Sequence, residues 1–271
     1  MKTVNCFTFC IVLFLLSCTG NSNNSNAPNE DGTRIVKEYY GNGKVKTEIS
    51  VKDSLRHGIT KNYDSEGRLL SEVTYVNNVR EGIAKNYYAE SGKLNSTLEY
   101  RNGIKEGNEI WYYESGKEYR VSPFVNGNIE GIQKLYYEDG KLFAEVPFKG
   151  GFPGVGLKEY NEDGSLMNNY PKLIIEKQDY LKSANKVILS IRLSNNATSV
   201  KYYKGKLNDG YLNEKSILLA SPNGIAHIDY NIPNGAVLKQ NLVITCNYKT
   251  PHGNPCVISR DYYLEIDNSR R

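Results

Sequence analysis

The chain has 271 residues, with 34 Lys and Arg, 30 Asp and Glu and a formal net charge of +4. This small excess does not indicate nucleic-acid binding, so we expect no nucleic acid among its partners. The aromatic content is unusual, because 22 Tyr stand against 7 Phe and 1 Trp. Tyrosine packs its ring on a half-buried sheet surface while its hydroxyl stays in water, and the composition therefore predicts an all-β protein.

The N-terminus predicts an export signal. Lys2 precedes an apolar run at residues 7–16, which at about ten residues is too short to span a bilayer. The run ends in Leu15-Leu16-Ser17-Cys18, which resembles the lipobox of bacterial lipoproteins. The resemblance implies removal of residues 1–17 as a signal peptide, lipidation of Cys18 and a location in the bacterial cell envelope. An ordinary secretory signal and an uncleaved anchor are the alternatives.

A polar segment follows the signal. Residues 18–33 contain no apolar run able to form a core, and they predict a disordered tether between the membrane and a folded body. Thr19 stands where the inner-membrane retention signal of some bacteria has Asp, which favours an outer membrane lipoprotein. We therefore expect the membrane, reached through the lipid anchor, to be one partner of this protein.

A repeat with a period of 24 or 25 residues follows the tether, in three registers. The first register is a tyrosine, at Tyr39, Tyr63, Tyr87, Tyr112 and Tyr136. The second is Gly-Lys or its equivalent, beginning at Gly43, Gly67, Gly92, Gly116, Gly140 and Gly164. The third is a glycine that opens each unit, at Gly58, Gly82, Gly107 and Gly131. Together they predict a repeat array over residues 34–170, in about six copies.

Each copy predicts a β-hairpin. In residues 131–153 a short strand ends at Tyr136-Tyr137, residues 138–141 supply the turn, and residues 142–148 form the second strand. A lone hairpin is only marginally stable in water, so successive copies must pair with one another. Successive hairpins therefore predict a meander.

The Tyr-Tyr pairs predict one tyrosine row on each face, because side chains alternate across a strand. The outer row is a candidate contact surface, formed by Tyr40, Tyr88, Tyr113, Tyr137 and Tyr160. The alternative is ordinary cross-strand aromatic packing. Carboxylates also recur beside the repeat glycines, at Glu81, Glu106 and Glu130, and we interpret them, like His57, as solvated turn residues.

The combined pattern of Tyr-Tyr, Gly-Lys, Glu and Asn-Gly resembles MORN repeats, in particular the MORN-variant repeats of YwqK-type antitoxins. The copies that begin near Gly82, Gly107 and Gly131 match the pattern best. The glutamate after Gly-Lys is present at Glu48, Glu72 and Glu145 but is replaced in the intervening copies by Thr97 and Val121. The resemblance implies an elongated single-layer MORN-like sheet that contacts proteins or membranes.

The last part of the chain, residues 171–271, predicts an immunoglobulin-like β-sandwich. Short alternating runs separated by turn residues indicate seven strands. These lie near residues 173–176, 186–192, 199–204, 216–220, 225–230, 241–248 and 256–266.

Cys246 and Cys256 flank the loop of this part that contains His252. A candidate disulfide that closes the loop is the first interpretation, since an oxidising envelope permits it. Two reduced, buried cysteines are the second. A zinc site with His252 is the third, but a structural site needs a fourth ligand and none is evident, so we predict no metal.

The sequence predicts no enzyme. His57, His227 and His252 lie far apart, no catalytic motif occurs, and we expect no cofactor. The leading hypothesis is a lipid-anchored envelope protein that acts as a non-catalytic interaction module for an unknown protein or surface polymer. The alternatives are an antitoxin or immunity protein that neutralises a toxin, and a surface glycan-binding protein that uses the outer tyrosines.

Overall fold

The computed structural model describes residue 29 and residues 31–269. The predicted signal peptide, Cys18 and most of the predicted tether therefore lie outside the described residues. The described part consists of one 14-stranded sheet, a three-stranded sheet and a four-stranded sheet, with one short helix. Within it, none of the helical segments has the length and apolar character needed to cross a membrane.

The large sheet is an antiparallel meander of hairpins, in which almost every strand pairs with its neighbours in chain order. This confirms the predicted all-β fold with a repeat sheet of hairpins. Its strands are β1 (Arg34–Tyr39), β2 (Val45–Lys52), β3 (Leu55–Tyr63), β4 (Leu69–Val76), β5 (Val79–Arg80), β6 (Gly82–Tyr87), β7 (Leu94–Arg101), β8 (Ile104–Tyr112), β9 (Glu118–Val125), β10 (Asn128–Ile129), β11 (Gly131–Tyr136), β12 (Leu142–Lys149), β13 (Phe152–Pro153) and β14 (Lys158–Glu159).

The two smaller sheets face one another around a shared core. One has the order β15-β16-β19 and the other the order β18-β17-β20-β21. Side chains from both sheets, such as Leu189 and Ile244, are fully buried in one cluster, so the two sheets form a sandwich. All seven strands predicted here are present: β15 (Leu173–Tyr180), β16 (Lys186–Leu193), β17 (Val200–Lys204), β18 (Ile217–Leu219), β19 (Ala226–Asn231), β20 (Val237–Lys249) and β21 (Pro255–Asp267). The sequence did not predict the helix α1 (Leu181–Ala184).

A row of aromatic residues on one face of the large sheet lies opposite the unit-opening glycines. The pairs are Gly58 and Tyr75, Gly82 and Tyr100, Gly107 and Phe124, and Gly131 and Phe148. At Gly107, φ is +70°, so a residue with a Cβ would strain the backbone and displace the Glu99 carboxylate. We call this side of the sheet the packed face.

A basic side chain covers three of these rings. Arg56 lies over Tyr75, Arg80 over Tyr100 and Lys105 over Phe124, at 5.4, 5.2 and 4.7 Å from the ring centroids. Such cation–π contacts stabilise by roughly 0.5–1 kcal/mol at exposed sites. The packed face therefore buries its own aromatic rings, and Ala84, Ser96, Ser122 and Ala144 become buried beside them without a second layer.

The second tyrosine of each pair links its copy to the next. Its hydroxyl donates a hydrogen bond to the backbone carbonyl of the first tyrosine one copy later, over 2.6–2.8 Å. The bonds are Tyr40 to Tyr63, Tyr88 to Tyr112, Tyr113 to Tyr136 and Tyr137 to Tyr160. The Gly-Lys lysines add a parallel series, in which Nζ reaches a turn carbonyl of the next copy: Lys44 to Glu66, Lys93 to Glu114 and Lys141 to Glu162.

One link in the tyrosine series is missing. The second copy has Asp64 where the others have the second tyrosine, and Asp64 instead accepts hydrogen bonds from the backbone of Glu66 and Arg68 within its own turn. At this step the turns of the two copies are linked by an ion pair between Arg68 Nη1 and Glu90 Oε1, at 2.9 Å.

These bonds correct the predicted contact row. Tyr40, Tyr88, Tyr113 and Tyr137 are only partly exposed, and their hydroxyls are occupied within the array. Tyr160 belongs to the other row, because its own carbonyl is the acceptor of the last link. These hydroxyls therefore have a structural role, and a contact role for the exposed parts of the rings stays a prediction.

The predicted disulfide is also wrong for this structure, in which Cys246 and Cys256 are buried free thiols. Cys246 lies opposite Ile258 and Cys256 opposite Tyr248, so the two cysteines are diagonal neighbours and not a direct pair. Diagonal positions are about 7–8 Å apart, beyond the usual Cα separation of a disulfide, roughly 4.4–6.8 Å. Burial raises the pKa of the Cys246 thiol to about 12 and also raises that of Cys256.

Tyr113→Phe tests the links between copies. It removes the 2.8 Å bond to the Tyr136 carbonyl but keeps the ring, and we expect the free energy of unfolding to fall by about 1 kcal/mol. Tyr39→Phe is the matched control, because the Tyr39 side chain is 58% exposed and it precedes the first link. Urea denaturation of both variants measures the effect. An equal change in the two would contradict a structural role for this hydroxyl.

Candidate interaction surface

The face opposite the packed face carries a row of charges that alternate in sign. Cross-strand pairing places Lys37, Glu48, Lys61, Glu72 and Lys85 side by side on five successive strands. Ion pairs within the row join Lys37 to Glu48 at 2.8 Å and Lys61 to Glu72 at 3.4 Å. Opposite charges on adjacent strands stabilise a sheet modestly and leave the row in contact with water. We call this side the open face.

The first tyrosines of the pairs bond to the glutamates of this row. Tyr63 donates its hydroxyl to Glu48 at 2.9 Å, and Tyr87 donates to Glu72 at 2.7 Å. Tyr160 makes the same bond to Glu145 at 3.1 Å. The two tyrosines of a pair thus serve opposite faces, as the alternation of side chains predicts.

These contacts shift the titration of both partners. Burial, followed by the hydrogen bond to the glutamate, raises the pKa of Tyr63 and of Tyr87 to about 12. The hydrogen bond from Tyr87 lowers the pKa of Glu72, and the contact with Lys37 lowers that of Glu48. The ionised carboxylates are therefore the forms that the folded array favours.

The charge row is interrupted in the middle of the sheet. After Lys85 it continues as Thr97, Ile110 and Val121, and charges resume only at Lys134. These are the copies in which Thr97 and Val121 replace the glutamate, so no acceptor for the hydroxyls of Tyr112 and Tyr136 stands there, and the described hydrogen bonds include none to them. The middle of the charge row, at Thr97, Ile110 and Val121, is therefore uncharged, with charged residues on both sides.

Exposed isoleucines add apolar side chains to this face. Ile59, Ile83 and Ile132 each follow a unit-opening glycine and are 46%, 55% and 42% exposed. Each stands two residues before a lysine of the charge row, Lys61, Lys85 or Lys134, and so lies on the open face. Large apolar side chains in a regular exposed row are typical of contact surfaces.

The carboxylates beside the repeat glycines lie at the edge of the sheet and are not simply solvated, which corrects the prediction. Each accepts a hydrogen bond from the first backbone N–H of the turn one copy later: Asn102 to Glu81 at 2.7 Å, Asn126 to Glu106 at 3.1 Å and Gly150 to Glu130 at 2.6 Å. His57 holds the equivalent position and contacts Asn77 in the following turn, at 3.3 Å. This edge serves the links between copies.

The end of the array contacts the sandwich through a buried carboxylate. Glu159, 2% exposed, accepts hydrogen bonds from Thr250 Oγ1 at 2.8 Å and from Asn254 Nδ2 at 2.7 Å. The Tyr170 hydroxyl donates a further hydrogen bond to Glu159 Oε2, at 3.3 Å. Burial, together with the contact with Glu159, raises the pKa of this hydroxyl. A buried charge that is fully hydrogen-bonded fixes the geometry around it. The loop of His252 approaches the same place, where its ring lies 5.2 Å from that of Phe143.

The repeat array matches the model of a known family of repeats. Four stretches of the array match the model of the MORN repeat variant, at residues 35–53, 56–77, 105–126 and 129–149. These four stretches are therefore similar to MORN-variant repeats. Of the three copies expected to match best, those near Gly107 and Gly131 are matched and the one near Gly82 is not. No match to a curated protein was found.

The unmatched copy is nevertheless a MORN-like hairpin, formed by β6 and β7. Its turn is one residue longer, since Gly92 donates its N–H to the carbonyl of Tyr88, whereas in the next copy Gly116 donates to Tyr113. The insertion stays in the turn and leaves the strands in the common register. Hairpins similar to MORN-variant repeats thus form most of the sheet whose open face is the candidate interaction surface.

Sequence reasoning missed two parts of the candidate surface. The isoleucine row was present as Gly-Ile at positions 58–59, 82–83 and 131–132, in step with the glycine register. The junction at Glu159 carried only the signal that the last copy departs from the pattern. Among the described residues, no group of three or more His, Cys, Asp or Glu side chains is placed to hold a metal ion.

The contact between Glu72 and Tyr87 predicts a pH dependence of stability. Because the pKa of Glu72 lies below its ordinary 4.5 in the folded chain, its ionised form stabilises the fold above that pH. This contribution is lost as the pH falls through the folded pKa. We therefore expect the stability difference between the native protein and Glu72→Gln to shrink from neutral pH to below 4.5.

Urea denaturation across this pH range measures the difference. Tyr87→Phe removes the same 2.7 Å bond from the hydroxyl side, and its stability should show a similarly weakened dependence on acid. A difference that stays constant down to pH values below 4.5 would contradict this role of the carboxylate.

Proposed function

We propose that this protein is a lipid-anchored, non-catalytic interaction module of the bacterial cell envelope, and that the open face of its MORN-like sheet binds a partner protein. The single observation that carries the proposal is the uncharged stretch in the middle of that face. Ile110 and Val121 lie between Lys85 and Lys134, and the exposed Ile83 and Ile132 lie on the strands of those two lysines. An apolar centre with a charged surround is the usual anatomy of a protein–protein interface.

The departures from the repeat pattern support the same conclusion. Glutamate at positions 97 and 121 would give Tyr112 and Tyr136 the acceptor that Tyr63 and Tyr87 have. The chain has Thr97 and Val121 instead, and so forgoes two hydrogen bonds, each of about 1 kcal/mol, in adjacent copies. Natural proteins give up stability in this way where a surface has another use.

The anchor rests on the sequence. Leu15-Leu16-Ser17-Cys18, the polar segment after it and Thr19 favour a lipidated Cys18 and an outer membrane location. Residues 18–33 would then separate the array from the membrane by a flexible tether. The open face would be presented to a partner, protein or surface polymer, at the envelope.

An antitoxin or immunity protein is the form of this proposal in which the partner is a toxin. The repeat family, through its YwqK-type members, suggests that form, and lipidation of Cys18 would restrict it to an envelope toxin. The glycan-binding alternative, in which the outer tyrosines stack on sugar rings, has less support because Tyr40, Tyr88, Tyr113 and Tyr137 are only partly exposed.

The double substitution Thr97→Glu/Val121→Glu tests the open face. It restores the residue that other copies carry, so we expect a fold that is at least as stable while the uncharged stretch becomes charged. A photoreactive amino acid replaces Asn108, which lies on the open face, in the protein expressed in its own host, and the cells are irradiated to cross-link it to its neighbours. A second photoreactive position, Lys201 on the sandwich, is the control for proximity alone.

We expect a specific cross-linked species at position 108, not at position 201, and its loss in the double variant. Urea denaturation in parallel shows that the variant is folded. A species that persists at full yield in the folded variant would contradict the proposed role of this face. Identification of the species by mass spectrometry separates a toxin from other partners.

Cys18→Ala tests the anchor independently. In the host, we expect the native protein to incorporate labelled fatty acid and to sediment with the membranes, and the variant to lose both properties. Lys182→Ala, an exposed substitution on the short helix, is the control for a general effect of mutation. An unlabelled native protein in the soluble fraction would overturn the anchor and leave the interaction module without it.

A further inference from the structure

The described part of the chain contains a cavity of about 740 Å³ where the last repeat meets the sandwich. Its walls come from three segments, residues 159–171 of the array end, residues 195–197 and residues 248–252. This volume falls in the range of small-molecule sites, roughly 300–1,000 Å³. Because both parts of the protein supply walls, the cavity requires the whole folded chain.

Asparagine dominates the polar lining, through Asn161, Asn168, Asn169 and Asn195. Asn168 and Asn169 are exposed, and their side chains take part in none of the described hydrogen bonds. Asn161 bonds only to Ser165 within its own turn, and Asn195 only to the backbone of Ala197. Each amide presents two donors and an acceptor, which suits hydroxyl groups that donate and accept together.

The charges around the cavity do not favour an ionic ligand. Glu159 is at its wall, but one of its oxygens already accepts from Thr250 and Asn254 and the other from Tyr170. Lys249 is the one Lys or Arg among the lining residues, and it is exposed. A carboxylate that is already hydrogen-bonded gives an ammonium group little to bind, because those donors would have to be displaced.

Rings and apolar groups complete the wall. Tyr170 and His252 line it together with Leu166, which is 53% exposed, and Met167. A sugar ring has apolar C–H faces that pack against such groups while its hydroxyls face amides. The combination of rings, apolar side chains and unpaired amides therefore matches a neutral saccharide better than a charged or purely apolar ligand.

We propose that this cavity is a binding site for a neutral saccharide segment, recognised by the asparagine amides and packed against Tyr170 and His252. The site is separate from the open face, so the protein would hold a partner on the array and a glycan at the junction. The proposal does not depend on the function proposed for the open face.

Titration calorimetry of the full chain in detergent tests this site, with cellotriose, maltotriose and tri-N-acetylchitotriose as neutral probes. Deacetylated chitotriose, which carries ammonium groups, is the charged comparison. We expect saturable binding of at least one neutral trisaccharide, and at least tenfold weaker binding in Asn168→Ala/Asn169→Ala. Neither position has a described hydrogen bond, so this variant should fold. Asn108→Ala, an exposed asparagine on the open face, is the matched control and should bind normally.

Three results would overturn the proposal. The first is no saturable binding of any neutral trisaccharide to the native protein. The second is binding of undiminished affinity in folded Asn168→Ala/Asn169→Ala, which would place the sugar elsewhere. The third is stronger binding of deacetylated chitotriose than of its acetylated form, which would make the ligand cationic. Thr97→Glu/Val121→Glu should leave sugar binding unchanged, so failure at the junction and failure at the open face are told apart.

Discussion

The array depends on one constraint, which is that a sheet of a single layer has no second layer against which to bury its side chains. The polar groups and rings of every copy must therefore make their contacts with the neighbouring copies of the same sheet. The tyrosine hydroxyls do so by bonding to the next backbone carbonyl, as Tyr113 does to Tyr136. The aromatic residues of the packed face do so from positions opposite the unit-opening glycines, as Phe124 does opposite Gly107. Repeat proteins in general obtain their stability from such nearest-neighbour contacts.

The same constraint explains why the repeat has three registers. The tyrosine supplies the link on one edge, the Gly-Lys lysine adds a second link beside it, and the unit-opening glycine lies opposite the aromatic residue of the packed face. These residues are already engaged in contacts within the array. Binding must therefore use positions that the repeat leaves free, and the open face offers them at the isoleucine row and at Ile110 and Val121.

Much of the fold was predictable because its signals are local and periodic. Hairpin turns, the 24-residue spacing and the alternation of short strands predicted the meander and all seven strands of the sandwich. The errors concern relations between strands. Whether Cys246 faces Cys256 depends on a register offset of two residues, and which way a tyrosine hydroxyl points depends on the neighbouring copy. A single sequence contains neither quantity directly. The junction at Glu159 joins residues about ninety positions apart, for which no periodic signal exists.

Asp64 gives the array an uneven response to ionic strength. At every other described step of the tyrosine series a hydroxyl is bonded to a backbone carbonyl, a contact between neutral groups that dissolved ions hardly weaken. Between the second and third copies an exposed pair, Arg68 and Glu90, takes its place. Surface charges are screened over about 10 Å at 0.1 M salt. A saltier environment therefore weakens this side-chain link more than the tyrosine links at the other steps, while the pairing of β4 with β6 and the bond from Tyr87 to Glu72 still join the two copies.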